Sequence, residues 1–210
     1  MMGNKFQWRS GIAALITVLL LAGCAGQSPR VDFYLLSADA RSTGDASVAG
    51  KCGGQAISVG PVTWPRYLDQ PRIVTRAGAN RLEASEFNRW GGSLEDDFSR
   101  TVIRNLSSLL QSELVMSYRH SSRFAPVYRV EMDVRQFDGE LGKDVTLEAK
   151  WSIIVEESGN LEKVATSTLR KSTSGSDYEA LVNASSMAVA QLSEEIAAQL
   201  ARVCAATSSK

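Results

Sequence analysis

The chain has 210 residues, 44% of them hydrophobic, with 23 basic and 23 acidic side chains, enough to bury one sizeable core beside a linker. No polybasic block or aromatic-studded basic stripe occurs, which removes the electrostatic footing for nucleic-acid binding. One histidine, His120, and three cysteines leave zinc sites and Cys/His dyads poorly supplied.

Lys5 and Arg9 form a cationic start, and Gly11 to Ala22 is an apolar run too short to span a bilayer comfortably. Leu21-Ala22-Gly23-Cys24 closes it, with small residues directly before a cysteine. The pattern resembles a bacterial lipobox. That resemblance implies a signal peptide over 1–23, a diacylglyceryl group on the Cys24 thiol, cleavage at Gly23–Cys24 and acylation of the new amine. The alternatives are an ordinary signal peptide with a chance cysteine, or an uncleaved N-terminal anchor. One myristoyl chain binds membranes only marginally, so three acyl chains on Cys24 are expected to hold permanently. No other cofactor is expected. Residue 25 is alanine, not the aspartate that retains lipoproteins in the inner membrane of enteric-type bacteria, and resemblance to that rule points to the outer membrane. The 187 residues after the signal carry 21 basic and 23 acidic side chains.

Residues 24–54 read as a lipidated, flexible tether rich in Gly, Ala and Ser. One apolar island interrupts it, Val31-Asp-Phe-Tyr-Leu-Leu36, suited to dock as a short strand. Cys52 and Cys204 bracket the region expected to fold. In an oxidising periplasm they are a disulfide candidate, with two free thiols as the alternative. A bridge across 152 residues of separation would contribute about 5 kcal/mol on chain-entropy grounds.

The folded domain is expected over 55–204, followed by a disordered tail at 205–210. Ala56–Gly60 alternates like a strand, and Pro61 and Pro65 frame a turn at Trp64. Residues 71–76 and 80–85 read as strands joined by a turn at 77–79. Ser93, three residues before Asp96, opens a helix whose apolar face runs through Leu94, Phe98, Val102, Leu106, Leu109, Leu110 and Leu114. Three strands follow at 127–137, 145–155 and 163–171, separated by glycine-bearing turns that suggest an antiparallel meander. The box Ser176-Asp-Tyr-Glu179 starts a last helix buried through Leu181, Ser185, Ala188, Leu192, Ile196, Leu200 and Val203. The order β-β-β-α-β-β-β-α predicts an α+β fold, two helices packed on one face of a mostly antiparallel sheet.

Catalysis is not expected. His120 lies in a polar loop with Arg119, Ser121, Ser122 and Arg123, and no Gly-x-Ser-x-Gly elbow accompanies it. The pairs Asp96/Asp97, Glu156/Glu157 and Glu194/Glu195 are sequence neighbours; such neighbours on a helix do not face each other, so the pairs read as solvated charge. No metal ligand set is evident. The segment Gly60–Pro71, with Phe87 and Trp90 beyond it, is unexplained by these patterns. Its aromatics either cap the sheet end or, through Trp64, Tyr67 and Trp90, form a partner-binding surface.

Ile57-Ser-Val-Gly-Pro-Val62, Pro65-Arg-Tyr-Leu-Asp-Gln-Pro71, Ile73-Val-Thr-Arg76, Asn80-Arg-Leu82 and Glu86-Phe-Asn-Arg-Trp90 with Leu94 form a specific run. It resembles the ABC-type transport auxiliary lipoprotein family. Tyr34-Leu35-Leu36, Val145–Trp151, Tyr178–Val182 and Leu192–Ala197 extend the likeness across the mature chain. Gly91-Gly92-Ser93 departs from it, standing where relatives often begin the helix with proline. The resemblance implies a non-catalytic outer-membrane lipoprotein that docks a periplasmic MCE-domain protein of an ABC lipid transport system, and a homo-oligomeric assembly. Two other readings are a module that itself holds an acyl ligand, and a pilot lipoprotein for a secretion pore.

Overall fold

Strands and helices alternate with the hydrophobic periods of the sequence. The computed structural model describes residues 29–38, 48–119 and 125–207. The lipobox and Cys24, His120 and the last three residues of the tail lie outside the described residues, as do residues 39–47 of the tether. Val31 begins the compact unit that contains every element below.

The elements are β1 (Asp32–Tyr34), β2 (Ile57–Thr63), a 3-10 turn (Arg66–Leu68), β3 (Arg72–Arg76), β4 (Leu82–Trp90), α1 (Leu94–Leu110), β5 (Val115–Ser117), β6 (Tyr128–Gly139), β7 (Asp144–Val155), β8 (Leu161–Ser172) and α2 (Tyr178–Thr207). The class is α+β, as expected. The strands, however, divide between two sheets, a five-stranded one ordered β5-β2-β6-β7-β8 and a three-stranded one ordered β1-β4-β3. β6, β7 and β8 form the expected antiparallel meander, whereas β2 runs parallel to both β5 and β6.

The division has a cause in the chain. Ile57, Ser58, Val59 and Gly60 are all buried, so β2 needs covered neighbours on both edges. Residues 64–71, with Pro65 and Pro71 among them, then carry the chain out of that sheet before β3 begins.

The two helices pack against each other, α1 over β2 and β5 and α2 over β7 and β8. Alternation decides what they cover: Tyr128, Val130, Met132 and Val134 of β6 are buried, with Val145, Leu147, Ala149, Trp151 and Ile153 of β7. Phe98, Val102 and Leu106 from α1, and Leu192, Ile196 and Leu200 from α2, close the core at 0% exposure. Arg129, Glu131 and Glu156 form an ion-paired group on the intervening sheet positions, as do Arg135, Asp133 and Glu148.

Helix ends refine the sequence reading. The Ser93 hydroxyl accepts from the Asp96 amide at 3.3 Å, so α1 starts where expected. It stops at Leu110 because Gln111 adopts a left-handed φ of 50°, and Leu114 falls outside it to lead into β5, a strand absent from the sequence reading. At α2 the cap is Asp177 rather than Ser176: its Oδ1 accepts from the Ala180 amide at 2.7 Å.

The island at 31–36 docks, and more firmly than a tether would. β1 pairs parallel with β4, the Leu36 amide donates to Asp97 Oδ2 at 2.7 Å, and the Ser37 amide donates to Ser186 Oγ at 3.0 Å. Cys52 and Cys204 are joined in a disulfide with Cα atoms 5.1 Å apart, both buried. Folded structure therefore reaches back past Gln55, because paired backbone and a covalent link hold segments whose composition alone reads as linker.

Candidate interaction site at the Pro-Tyr-Leu turn

β2 contains a cis Gly60–Pro61 bond, and beyond it the chain passes Trp64 and coils into the 3-10 turn. Pro65 sets the extended backbone before that turn, and the Leu68 amide donates back to the Pro65 carbonyl at 3.0 Å. Leu68 is 3% exposed and fixes the turn to the core.

Two side chains of this segment point inward and explain its residue types. Trp64 lies 5.3 Å from Phe98 and 5.9 Å from Phe137 between ring centroids, and those two phenylalanines are 5.7 Å apart. The three rings meet tilted or edge-on, the arrangement aromatic quadrupoles favour, and tie the turn to α1 and β6. The Tyr67 hydroxyl donates to Asp138 Oδ2 at 2.6 Å. Arg76 of β3 grips the same carboxylate, Nε to Oδ1 at 2.5 Å and Nη2 to Oδ2 at 3.2 Å, and Gln136 Nε2 donates to Oδ1 at 2.9 Å.

Asp138 has no side-chain exposure, so these donors replace the water its carboxylate oxygens have lost. Burial, followed by the hydrogen bond to Asp138, pushes the Tyr67 phenol well above its ordinary range. The bond to Asp138 likewise raises Arg76, against the opposing effect of burial. This clasp joins the two sheets, since β3 belongs to one and β6 to the other.

Of the three aromatics expected on a contact surface, Trp64 and Tyr67 share one turn, with much of their mass used in packing. Trp90 requires correction: it is 8% exposed and offers a partner almost no area. It sits inward because its register on β4 places it beside Tyr34, and its amide donates to the Pro71 carbonyl at 2.8 Å. What faces outward is a cleft of about 260 Å³ between the turn and the start of α1, bordered by Trp64, Leu68, Gln70, Pro71, Ser93 and Glu95. Trp64 Nε1 is buried there with no hydrogen-bond partner among the described residues. An indole N–H so enclosed gains a partner only if the neighbouring side chains shift to admit an acceptor, such as water or a peptide carbonyl.

Asp138, Phe98 and Phe137 were not singled out by sequence reasoning as parts of this site. One signal was present: Asp138 follows apolar Phe137 at the end of a strand, where a buried carboxylate needs paired donors.

Residues 34–197 match the model of a family described as ABC-type transport auxiliary lipoprotein component. The intermembrane transport lipoproteins PqiC of Escherichia coli (strain K12) and of Shigella flexneri are each 26% identical over 148 residues, covering 70% of this chain and 75% of theirs. Protein XCC0632 from Xanthomonas campestris shares the fold with a TM-score of 0.68 at 18% identity, over 85% of this chain and 99% of that one. This chain belongs to the ABC-type transport auxiliary lipoprotein family, whose match runs from β1 into α2.

Proposed function

We propose that the protein is a non-catalytic auxiliary component that docks an ABC-type lipid transport system at the outer membrane. In this reading Cys24 carries the acyl anchor, the folded body faces the periplasm, and a periplasmic MCE-domain protein is the partner, with several copies assembling together. The family match over residues 34–197 carries the reading. The apolar leader ending in Leu21-Ala22-Gly23-Cys24 supports the anchor, and Ala25 supports the outer membrane. No helix among the described residues is long and apolar enough to cross a membrane. The cleft with its unpartnered Trp64 N–H supports a protein contact beside the Pro-Tyr-Leu turn.

The test is isolation of the native protein from its host's membranes in mild detergent, with identification of what stays bound. Retention of an MCE-domain protein is expected, and Trp64→Phe, which keeps an aromatic ring and removes the N–H, is expected to weaken it without lowering Tm severely. Absence of any MCE-domain partner sinks the docking role. A second reading, an acyl ligand held by the domain itself, has one observation in its favour: the groove of about 500 Å³ between β2, β5 and α1 is bordered by Val59, Val62 and Ile103 as well as by Glu95, Asp96, Arg100 and Arg119.

A further inference from the structure

In the segment Val31–Leu36 the alternating set Val31, Phe33 and Leu35 is wholly apolar, while the other set runs from an exposed Asp32 through Tyr34 to Leu36; the fold covers only the second set, at Tyr34 and Leu36. Tyr34 pairs with Trp90 and donates to Asn88 Oδ1, and Leu36 is 4% exposed. These residues face the core. The other set stands open: Val31 is 37% exposed, Phe33 67% and Leu35 55%.

The register continues this face onto β4. Phe33 lies beside Arg89, Leu35 lies across Gly91, where an added Cβ would approach its Cδ2 to 3.1 Å, and Phe87, two residues before Arg89, is 40% exposed. Arg89 Nε is buried with no hydrogen-bond partner among the described residues. The result is an apolar strip with an under-satisfied guanidinium at its centre, on an edge strand.

Chain length says what lies opposite this strip. Six residues lie between Cys24 and Val31, and the seven Cα steps from one to the other span at most ~25 Å. Once Cys24 is acylated, β1 cannot leave the neighbourhood of the bilayer whatever path those residues take. The four side chains together expose on the order of 400 Å², short of the ~800 Å² per partner of a stable protein interface. Apolar side chains with adjacent arginine match the acyl boundary and phosphate layer of a phospholipid surface.

We infer that the outward strip of Val31, Phe33, Leu35 and Phe87, with Arg89, is a second membrane contact that lies against phospholipid and fixes the orientation of the folded body. This rests on acylation of Cys24. The test places a photo-crosslinker in the full chain expressed in its host, Phe33→p-benzoylphenylalanine, with Arg170→p-benzoylphenylalanine on exposed β8 as control. Membranes are irradiated and the adducts weighed, and the N-terminal peptide of the same sample is analysed for acyl chains. Phospholipid adducts at position 33, severalfold above those at position 170, are expected. With Cys24 acylated, a homodimer, an adduct to another protein alone, or no adduct at position 33 overturns the membrane contact and leaves the anchor standing. An unacylated Cys24 removes both.

Discussion

Asp138 gathers donors from three separate stretches of chain, Tyr67 from the 3-10 turn, Arg76 from β3 and Gln136 from its own strand. Replacing it by alanine leaves Arg76 facing a buried gap. Because Arg76 keeps 32% side-chain exposure, the expected loss is about 3 kcal/mol, the low end for a broken buried pair, read from urea unfolding. Tyr67→Phe is expected to cost about 1.5 kcal/mol, the scale of a hydrogen bond to a charged acceptor. The phenol also gives a pH signature. Its folded value lies above the ordinary 10.0, so its contribution is complete below pH 10 and shrinks as pH rises, when the unfolded chain releases a proton the folded one retains. Wild type is therefore expected to lose stability above pH 10 more steeply than Tyr67→Phe. Parallel alkaline arms for the two proteins would disprove that linkage. The family-like run Pro65–Pro71 thus has a structural explanation at its centre, while its outer side borders the cleft.

The elements separate what local pattern can specify from what it cannot. The long antiparallel strands were legible because alternation over β6 and β7 is sustained and the turns between them contain glycine, including Gly142 at φ 74°. α1 was legible from its cap, its acidic first turn and its apolar spacing. At α2 two adjacent residues could both cap, and geometry chose Asp177. Asp177→Ala is accordingly expected to cost about 1 kcal/mol, and Ser176→Ala to stay within about 0.5 kcal/mol, both measured by thermal or denaturant unfolding. A larger loss at Ser176 would reverse the assignment. β5 has only three residues, too short for a period to register, and exists because β2 offers an open edge. For Trp90 the sequence leaves sheet capping and a contact surface both open, because aromatic type does not reveal which side of a strand is covered; its burial favours the first.

At the scale of the whole molecule, the Cys52–Cys204 bridge ties the turn before β2 to the last helix across 152 residues. Removing a link across so long a loop frees the unfolded chain. Cys52→Ser with Cys204→Ser is expected to lower stability by about 4 kcal/mol and Tm by roughly 10 °C, in calorimetry against the oxidised wild type. An unchanged Tm would mean that noncovalent packing alone holds the two ends together. The bridge, β1 and the bonds from Leu36 and Ser37 to the helices together anchor the N-terminal segment to the body. In the proposed role, that attachment stiffens the path between lipid and domain, and the open face of β1 turns it toward the bilayer.

The sequence by itself determined the class of fold, the helix start at Ser93 and that of α2 to within one residue of Ser176, the meander, the cysteine pairing as a candidate and the family, because each depends on local period, spacing or a contiguous motif. Only the tertiary structure decided that the strands split into two sheets, that β2 lies between β5 and β6 and parallel to both, that Trp90 is interior, and that Asp138 unites Tyr67 with Arg76. Those outcomes depend on partners 56 to 71 residues apart, and no short-range pattern encodes which distant edge or charge a segment will meet.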